Sequence, residues 1–253
     1  MVVLFSGGAS GARYLFEEAG LERSNYEIVA GIADKDGAPG IEEFAGRDIP
    51  VKVVNKKEFY SYSDPNEESI FRYFDELASI VEEFEPNLLL LSGFMQVVRE
   101  PLLTKYAGQI INVHPADLRI KEHGNRKYRG DDSVYQAIIA GENETRSTVH
   151  FVTKRVDEGP IIVVSRPVPI EKEMVRTFER FNQSMVRNYA NLLQEWMKWS
   201  CDGPSIQKAL ALFAKGKVRL SHGEVTIKGP DGLTSGYYDL KEGRVVTVED
   251  ERS

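Results

Sequence analysis

Only one cysteine, Cys201, occurs in the 253-residue chain. No internal disulfide can form, and a cysteine-ligated metal site is excluded. Beside Trp199, Cys201 reads as an inert small side chain. Positive charge is also short. Lys and Arg number 32 against 39 Asp and Glu, a formal net charge of −7. That balance argues against a general nucleic-acid surface, which needs a basic footprint. No apolar run is long enough to span a membrane, and Met1 leads directly into an apolar strand, not a signal peptide. Internal repeats and low-complexity tracts are missing as well. What remains is ordinary globular composition, 42% hydrophobic and 28% charged, in a chain able to bury a core as one large domain or two small ones. A compact cytoplasmic protein is expected, with neither nucleic acid nor membrane as partner.

Short apolar runs at residues 2–6, 26–32, 51–55 and 87–91 are bounded by turns and read as strands. Helical segments lie between them. The clearest covers residues 67–84, with Ile70, Phe71, Phe74, Leu77, Ala78, Val81 and Phe84 on one face. This alternation predicts an α/β fold, a doubly wound, mainly parallel sheet with helices on both faces. In such sheets ligands bind beyond the carboxyl ends of the strands. Residues 174–197 read as the longest helix. Its stripe of Met174, Phe178, Phe181, Met185, Tyr189, Leu192 and Trp196 is expected to pack against the sheet. A polar stretch, 200–205, then precedes a helix at 209–218. Turns at Gly223, Gly229-Pro230-Asp231-Gly232 and Gly243 between Val/Ile runs suggest closing hairpins. The expected organisation is a catalytic domain over 1–200, with 201–253 a helix and β-hairpin appendage packed on it.

Chemistry concentrates in Asn112-Val113-His114-Pro115. Residues 110–113 read as the end of a buried strand, and alternation lets Asn112 and His114 project from one face. Pro115 breaks the strand and leaves His114 at its lip. A neutral donor beside a titratable one suits a carbonyl whose oxygen becomes negative during attack. A satisfied structural histidine explains His114 as well when it is taken singly. Downstream, residues 147–152 alternate like another strand and lead to Asp157-Glu158-Gly159-Pro160. A carboxylate there would raise the pKa of His114 and hold it protonated. A turn-stabilising aspartate is the competing explanation. Gly7, Gly8 and Gly11 after the first strand would let backbone N–H groups approach an anion at a helix start. A tight strand-to-helix turn accounts for them equally. The loop is neither a nucleotide P-loop nor the dinucleotide fingerprint.

Five segments in order carry a resemblance: Ser6-Gly7-Gly8-Ala9-Ser10-Gly11, Leu91-Ser92-Gly93-Phe94-Met95, Asn112-Val113-His114-Pro115, Val149-His150-Phe151-Val152 and Asp157-Glu158-Gly159-Pro160-Ile161. Together they resemble the formyltransferase family that uses 10-formyltetrahydrofolate, closest to its phosphoribosylglycinamide-formylating branch in purine biosynthesis. The resemblance covers nearly the whole chain. It implies a Rossmann-like fold and transfer of a formyl group from 10-formyltetrahydrofolate, as co-substrate, to a primary amine. Asn112 and protonated His114 would stabilise the oxyanion and Asp157 would keep His114 charged. Folate would lie against Met95, Gln96, Val97, Val98, Val152 and Thr153. Gly8, Ala9, Ser10 and Gly11 would hold the phosphate of a small phosphorylated amine. No metal is required, and a homodimer is allowed.

The chain also departs from the branch. Gly11 stands where an Asn usually helps hold the phosphate, and residues 185–189 lack the expected Glu-His pair. Ala116-Asp117-Leu118-Arg119 replaces Ser-Leu-Leu-Pro, and a basic segment follows with Lys121, His123, Arg126, Lys127 and Arg129. That segment reads equally as a solvated loop or a phosphate clamp. An N-formyltransferase acting on an amino-sugar nucleotide or another phosphorylated amine therefore stays open. So does a non-catalytic folate-binding protein, although it gives Asn112, His114 and Asp157 no shared purpose. Methionyl-tRNA formylation is disfavoured by the acidic balance and the lack of a basic C-terminal domain. A formyltetrahydrofolate hydrolase is disfavoured by the lack of an N-terminal regulatory domain.

Overall fold

A computed structural model describes residues 1–18, 26–60, 65–229 and 232–247. They form two compact units, one of Met1–Asn112 with Phe151–Arg155, the other of Val113–His150 with Val156–Ser253.

The first unit alternates strand and helix in chain order: β1 (Val2–Phe5), α1 (Ser10–Glu17), β2 (Ala30–Ala33), α2 (Gly40–Ala45), β3 (Val51–Val53), α3 (Glu67–Glu82), β4 (Leu89–Leu91), α4 (Leu102–Lys105) and β5 (Ile110–His114). The strand order is β5-β4-β1-β2-β3, with every pair parallel. Order reverses between β1 and β4, the switch point at whose carboxyl side a doubly wound sheet binds ligands. Val2, Leu4, Ala30, Ile32, Leu89, Leu91 and Ile110 share one buried cluster with Tyr73, Phe74, Leu77 and Val81 of α3. Asn66 caps α3 by accepting the Ser69 N–H at 2.8 Å. The expected stripe on α3 needs one correction: Phe71 is exposed and Tyr73 is buried. At about 100° per residue, Tyr73 falls about 40° from Leu77 at one edge of the arc set by Phe74, Leu77 and Val81, whereas Phe71 falls about 60° beyond Phe74 at the other edge. The strand expected from residue 26 begins at Ala30, because its parallel partner starts at Val2, opposite Ala30.

The second unit continues with β6 (Lys121–Glu122), β7 (Asn125–Arg126), α5 (Ser133–Ile139), β8 (Glu144–Thr145), β9 (Thr148–Phe151), β10 (Ile161–Val164) and β11 (Val168–Pro169). Then come α6 (Lys172–Phe181), α7 (Gln183–Met197), a π-helical turn (Lys198–Asp202) and α8 (Gly203–Ala214). Last are β12 (Val218–Ser221), β13 (Glu224–Gly229), β14 (Gly232–Asp239) and β15 (Arg244–Thr247). Antiparallel pairs join β9 to β10, β12 to β13, β13 to β14 and β14 to β15, whereas β10 and β14 run parallel. The expected closing hairpins are thus present. Pro230 and Asp231 of one expected turn lie outside the described residues.

The single long helix expected over 174–197 is two helices. Asn182 is extended (φ −166°, ψ 130°) and its side chain accepts the Ser184 N–H, capping α7. Asparagine competes with helical hydrogen bonding in this way. The break changes which face is buried: Val186, Ala190 and Met197 are buried and Leu193 half-buried, an i, i+4, i+7, i+11 series. Met174, Phe181, Met185, Leu192 and Trp196 are exposed, contrary to the expected stripe. Only Phe178 and Tyr189 of that stripe pack on the core. Among the described residues, no helix is long and apolar enough to cross a membrane.

Candidate active site

β5 delivers Asn112 and then His114, and the turn at Pro115 closes with the Ala116 N–H bonded to the His114 carbonyl at 2.8 Å. His114 is 5% exposed. Its Nε2 lies 2.8 Å from the Tyr128 carbonyl, which can only accept, so Nε2 carries the proton. Nδ1 faces Asp157 Oδ2 at 3.5 Å. The other carboxylate oxygen of Asp157 lies 3.4 Å from Nε2 of His150 on β9. One buried carboxylate therefore bridges two buried imidazoles.

Asp157 occupies the turn before β10 with φ 53°, a left-handed conformation in which Asp is tolerated. That conformation turns its carboxylate onto the Gly130 N–H, 2.8 Å from Oδ2. Burial resists ionisation of Asp157. The His150 hydrogen bond, the charge of His114 and the Gly130 N–H outweigh it and hold the carboxyl well below its usual range. For His114 the balance is reversed. Burial pushes the imidazole below the ordinary histidine range, Asp157 and the Tyr128 carbonyl oppose this, and His150 and Arg126 add to it. The expected standing imidazolium is corrected accordingly: Asp157 acts in the expected sense, but desolvation is larger.

The loops after β1 and β4 are tied together by serines. Ser6 Oγ accepts the Met95 N–H at 2.8 Å, and Ser92 Oγ accepts the Gly11 N–H at 2.9 Å. The Gly11 N–H expected to face an anion is thus already engaged. Gly8 and Ser10 are accessible, whereas Ala9 is buried with φ 48°. At Gly40 a Cβ would lie 2.9 Å from the Gly7 carbonyl and the Ala9 side chain, so only glycine lets α2 start against this loop. Of the expected folate residues, Met95 and Val97 are exposed, Val152 is half-buried and Val98 is buried in the core. Accessible apolar side chains of that kind fit the face of a flat heteroaromatic ring. Thr153 is exposed, its hydroxyl on the Arg155 carbonyl. The Gln96 side chain donates to Asp34 and accepts from Tyr60, and Asp34 forms a buried ion pair with Lys56 at 3.0 Å.

Half of the basic segment, Arg119, Lys127 and Arg129, is internally neutralised. Arg119 holds Asp117 at 2.6 Å and Asp239 at 3.3 Å, and Arg146 also reaches Asp239 at 3.3 Å. Arg129 pairs with Glu158 at 3.0 Å and Lys127 lies 3.5 Å from Glu142. The segment is a hairpin of β6 and β7, turning through His123 (φ 51°) and Gly124 (φ 79°). His150 is the residue of this cluster to which the sequence assigned no role. Its alternation in residues 147–152 placed it in a strand, where a histidine reads first as core.

A buried acid between two imidazoles is an arrangement suited to moving protons. The comparisons supply the class. The family model described as formyl transferase matches residues 1–193, and the chain belongs to that family. It is 29% identical over 196 residues to the trifunctional purine biosynthetic protein adenosine-3 of Gallus gallus, covering 77% of this chain and 18% of that protein. The chain thus spans under a fifth of the length of this relative. The crystal structure of phosphoribosylglycinamide formyltransferase from Anaplasma phagocytophilum is similar, with TM-score 0.71, 25% identity and coverage of 94% of this chain and 96% of that one. Glycinamide ribonucleotide transformylase 1 from Symbiobacterium toebii matches with TM-score 0.68 and 25% identity, over 89% and 92% of the two chains.

Proposed function

We propose that this enzyme transfers the formyl group of 10-formyltetrahydrofolate to the primary amine of a phosphorylated acceptor, phosphoribosylglycinamide in purine biosynthesis. The observation that carries the chemistry is the placement of His114, with Nε2 on the Tyr128 carbonyl and Nδ1 facing Asp157. With its proton fixed on Nε2 by the Tyr128 carbonyl, the lone pair of Nδ1 stands at Asp157. Burial keeps the ring neutral at rest, so Nδ1 can accept a proton.

The acceptor's neutral amine attacks the formyl carbon and the carbonyl π pair moves to oxygen. Asn112 donates to that oxyanion. The amine's proton passes to His114 Nδ1, and the imidazolium so formed is stabilised by Asp157, which His150 holds in place. Collapse of the intermediate re-forms the carbonyl, breaks the bond to the folate nitrogen and returns the proton to that nitrogen. Met95, Gln96, Val97, Val98, Val152 and Thr153 would bind the folate. Gly8, Ala9 and Ser10 would receive the acceptor's phosphate.

The test is turnover of 10-formyltetrahydrofolate with phosphoribosylglycinamide, amino-sugar nucleotides and uncharged amines in parallel, reading release of the deformylated folate. Release that depends on phosphoribosylglycinamide is expected. Folate binding without release under any acceptor would replace the enzyme with a binding protein.

A further inference from the structure

Within the basic segment, Arg126 differs from its neighbours. Arg119, Lys127 and Arg129 face carboxylates, while Lys121 and His123 are exposed to water. Arg126 is half-buried on β7, paired across the hairpin with Lys121. One guanidinium nitrogen donates to the backbone carbonyl of Asp157 at 2.5 Å. Among the described residues it forms no ion pair with a carboxylate, and burial lowers its affinity for its proton more than Glu158 and Asp157 raise it. A guanidinium carries five N–H donors in a planar fork suited to a pair of oxyanion oxygens. A half-buried cation lacking a bound counter-anion is destabilised by desolvation, and an incoming oxyanion reverses that penalty.

Its location adds the second argument. The carbonyl that anchors Arg126 belongs to the residue whose carboxylate touches His114 and His150. Lys127 N–H bonds to the Ile120 carbonyl at 2.9 Å, so the hairpin presents the guanidinium preformed. We propose that Arg126 is a specificity-determining residue that binds an anionic oxygen pair, phosphate or carboxylate, of the amine being formylated. The inference rests on the formyl-transfer reading above. It adds that this hairpin cation is the charged group that selects the phosphorylated acceptor, while Arg119, Lys127 and Arg129 pair with carboxylates of the fold.

The experiment compares Arg126→Gln and Arg126→Lys with the wild type and with Lys121→Gln. For Arg126→Gln the acceptor KM should rise about ten- to a hundredfold, the usual worth of a charged hydrogen-bonding partner. The folate KM and kcat should stay near wild type. Arg126→Lys, which keeps the charge and loses the fork, should fall between the two, and Lys121→Gln should match the wild type. Acceptors matched except for phosphate, carboxylate or an uncharged group distinguish the oxyanion's source. The uncharged amine should be indifferent to Arg126→Gln. An unchanged acceptor KM, or a fall in kcat at constant KM, overturns the assignment, the latter placing the charge on the reacting oxygen. Calorimetry with inorganic phosphate and with acetate separates this from failure of the transfer reaction. Weaker binding of either anion by Arg126→Gln supports the anion site even if no amine is formylated, and equal binding of both overturns it.

Discussion

Asp157 stands between two imidazoles, yet it has only one charge to share. At rest that charge is used by His150 and by the Gly130 N–H, and His114 remains neutral. Activity should therefore rise as pH increases through the lowered pKa of His114. In Asp157→Asn the charge that raises this pKa is gone. The acidic limb of the kcat profile should move to lower pH while the plateau falls, because the imidazolium formed in the reaction loses its stabilising partner. A profile of unchanged shape would return Asp157 to a turn residue. His114→Ala should lower kcat by about two to four orders of magnitude with folate affinity nearly unchanged. Asn112→Ala should cost about two orders through the oxyanion alone. The two variants differ in pH response: only His114→Ala should flatten the acidic limb. The shared face of Asn112 and His114 was legible because strand alternation and a strand-ending proline act locally, whereas Asp157 lies in a turn and was singled out through the family resemblance. His114's protonation was not legible, since desolvation depends on how many groups of the folded chain cover the ring.

At the scale of elements, the sequence conveyed periodicity well and pairing poorly. The strands of the first unit appeared as apolar runs because a parallel sheet buries both faces. The break at Asn182 was invisible, because an asparagine continues a helical pattern until its side chain caps the next helix. Likewise, the charges at residues 119–129 looked alike in sequence. What distinguishes them is a partner far along the chain, as when Arg119 meets Tyr237 and Asp239 of β14 at separations of 118 and 120 residues. Asp239 matters for the same reason. It joins Arg119 and Arg146, which also flank Asp117 at 2.6 and 3.7 Å, in a quartet of two acids and two bases, and Arg146 reaches a further acid, Glu144, at 3.1 Å. Asp239→Asn should leave those cations with Asp117 as the quartet's one anion and destabilise the fold by about 3 kcal/mol in urea unfolding. Equal unfolding midpoints would show the quartet to be inconsequential.

For the molecule as a whole, one buried acid contributes a definite share of the pH response of stability. Asp202 closes the π-helical turn, is 7% exposed and has one carboxylate oxygen without a hydrogen-bond partner. Burial pushes its carboxyl up to about 6 from 3.8, with Ser147 and Lys198 pulling the other way. A carboxyl raised on folding costs stability once the pH exceeds its unfolded value, and in full above the folded one. The shift corresponds to about 3 kcal/mol. Asp202→Asn should therefore gain Tm relative to the wild type between pH 4 and pH 7, in thermal unfolding at matched ionic strength. A constant difference across that range would show that the acid is not titrating there.

The long reach of the Arg119 contacts also has a consequence in time. Synthesis runs from the amino-terminal side, and domains begin to fold as they emerge. A ribosome-bound chain halted short of Tyr237 already holds His114, His150, Asp157 and the Asp117–Arg119 pair, yet it lacks the Tyr237 and Asp239 contacts to Arg119, five residues past His114. Closing so long a loop is entropically slow. The contacts from β14 to the segment beside His114 are thus among the last to form, and activity should rise further once β14 has been made.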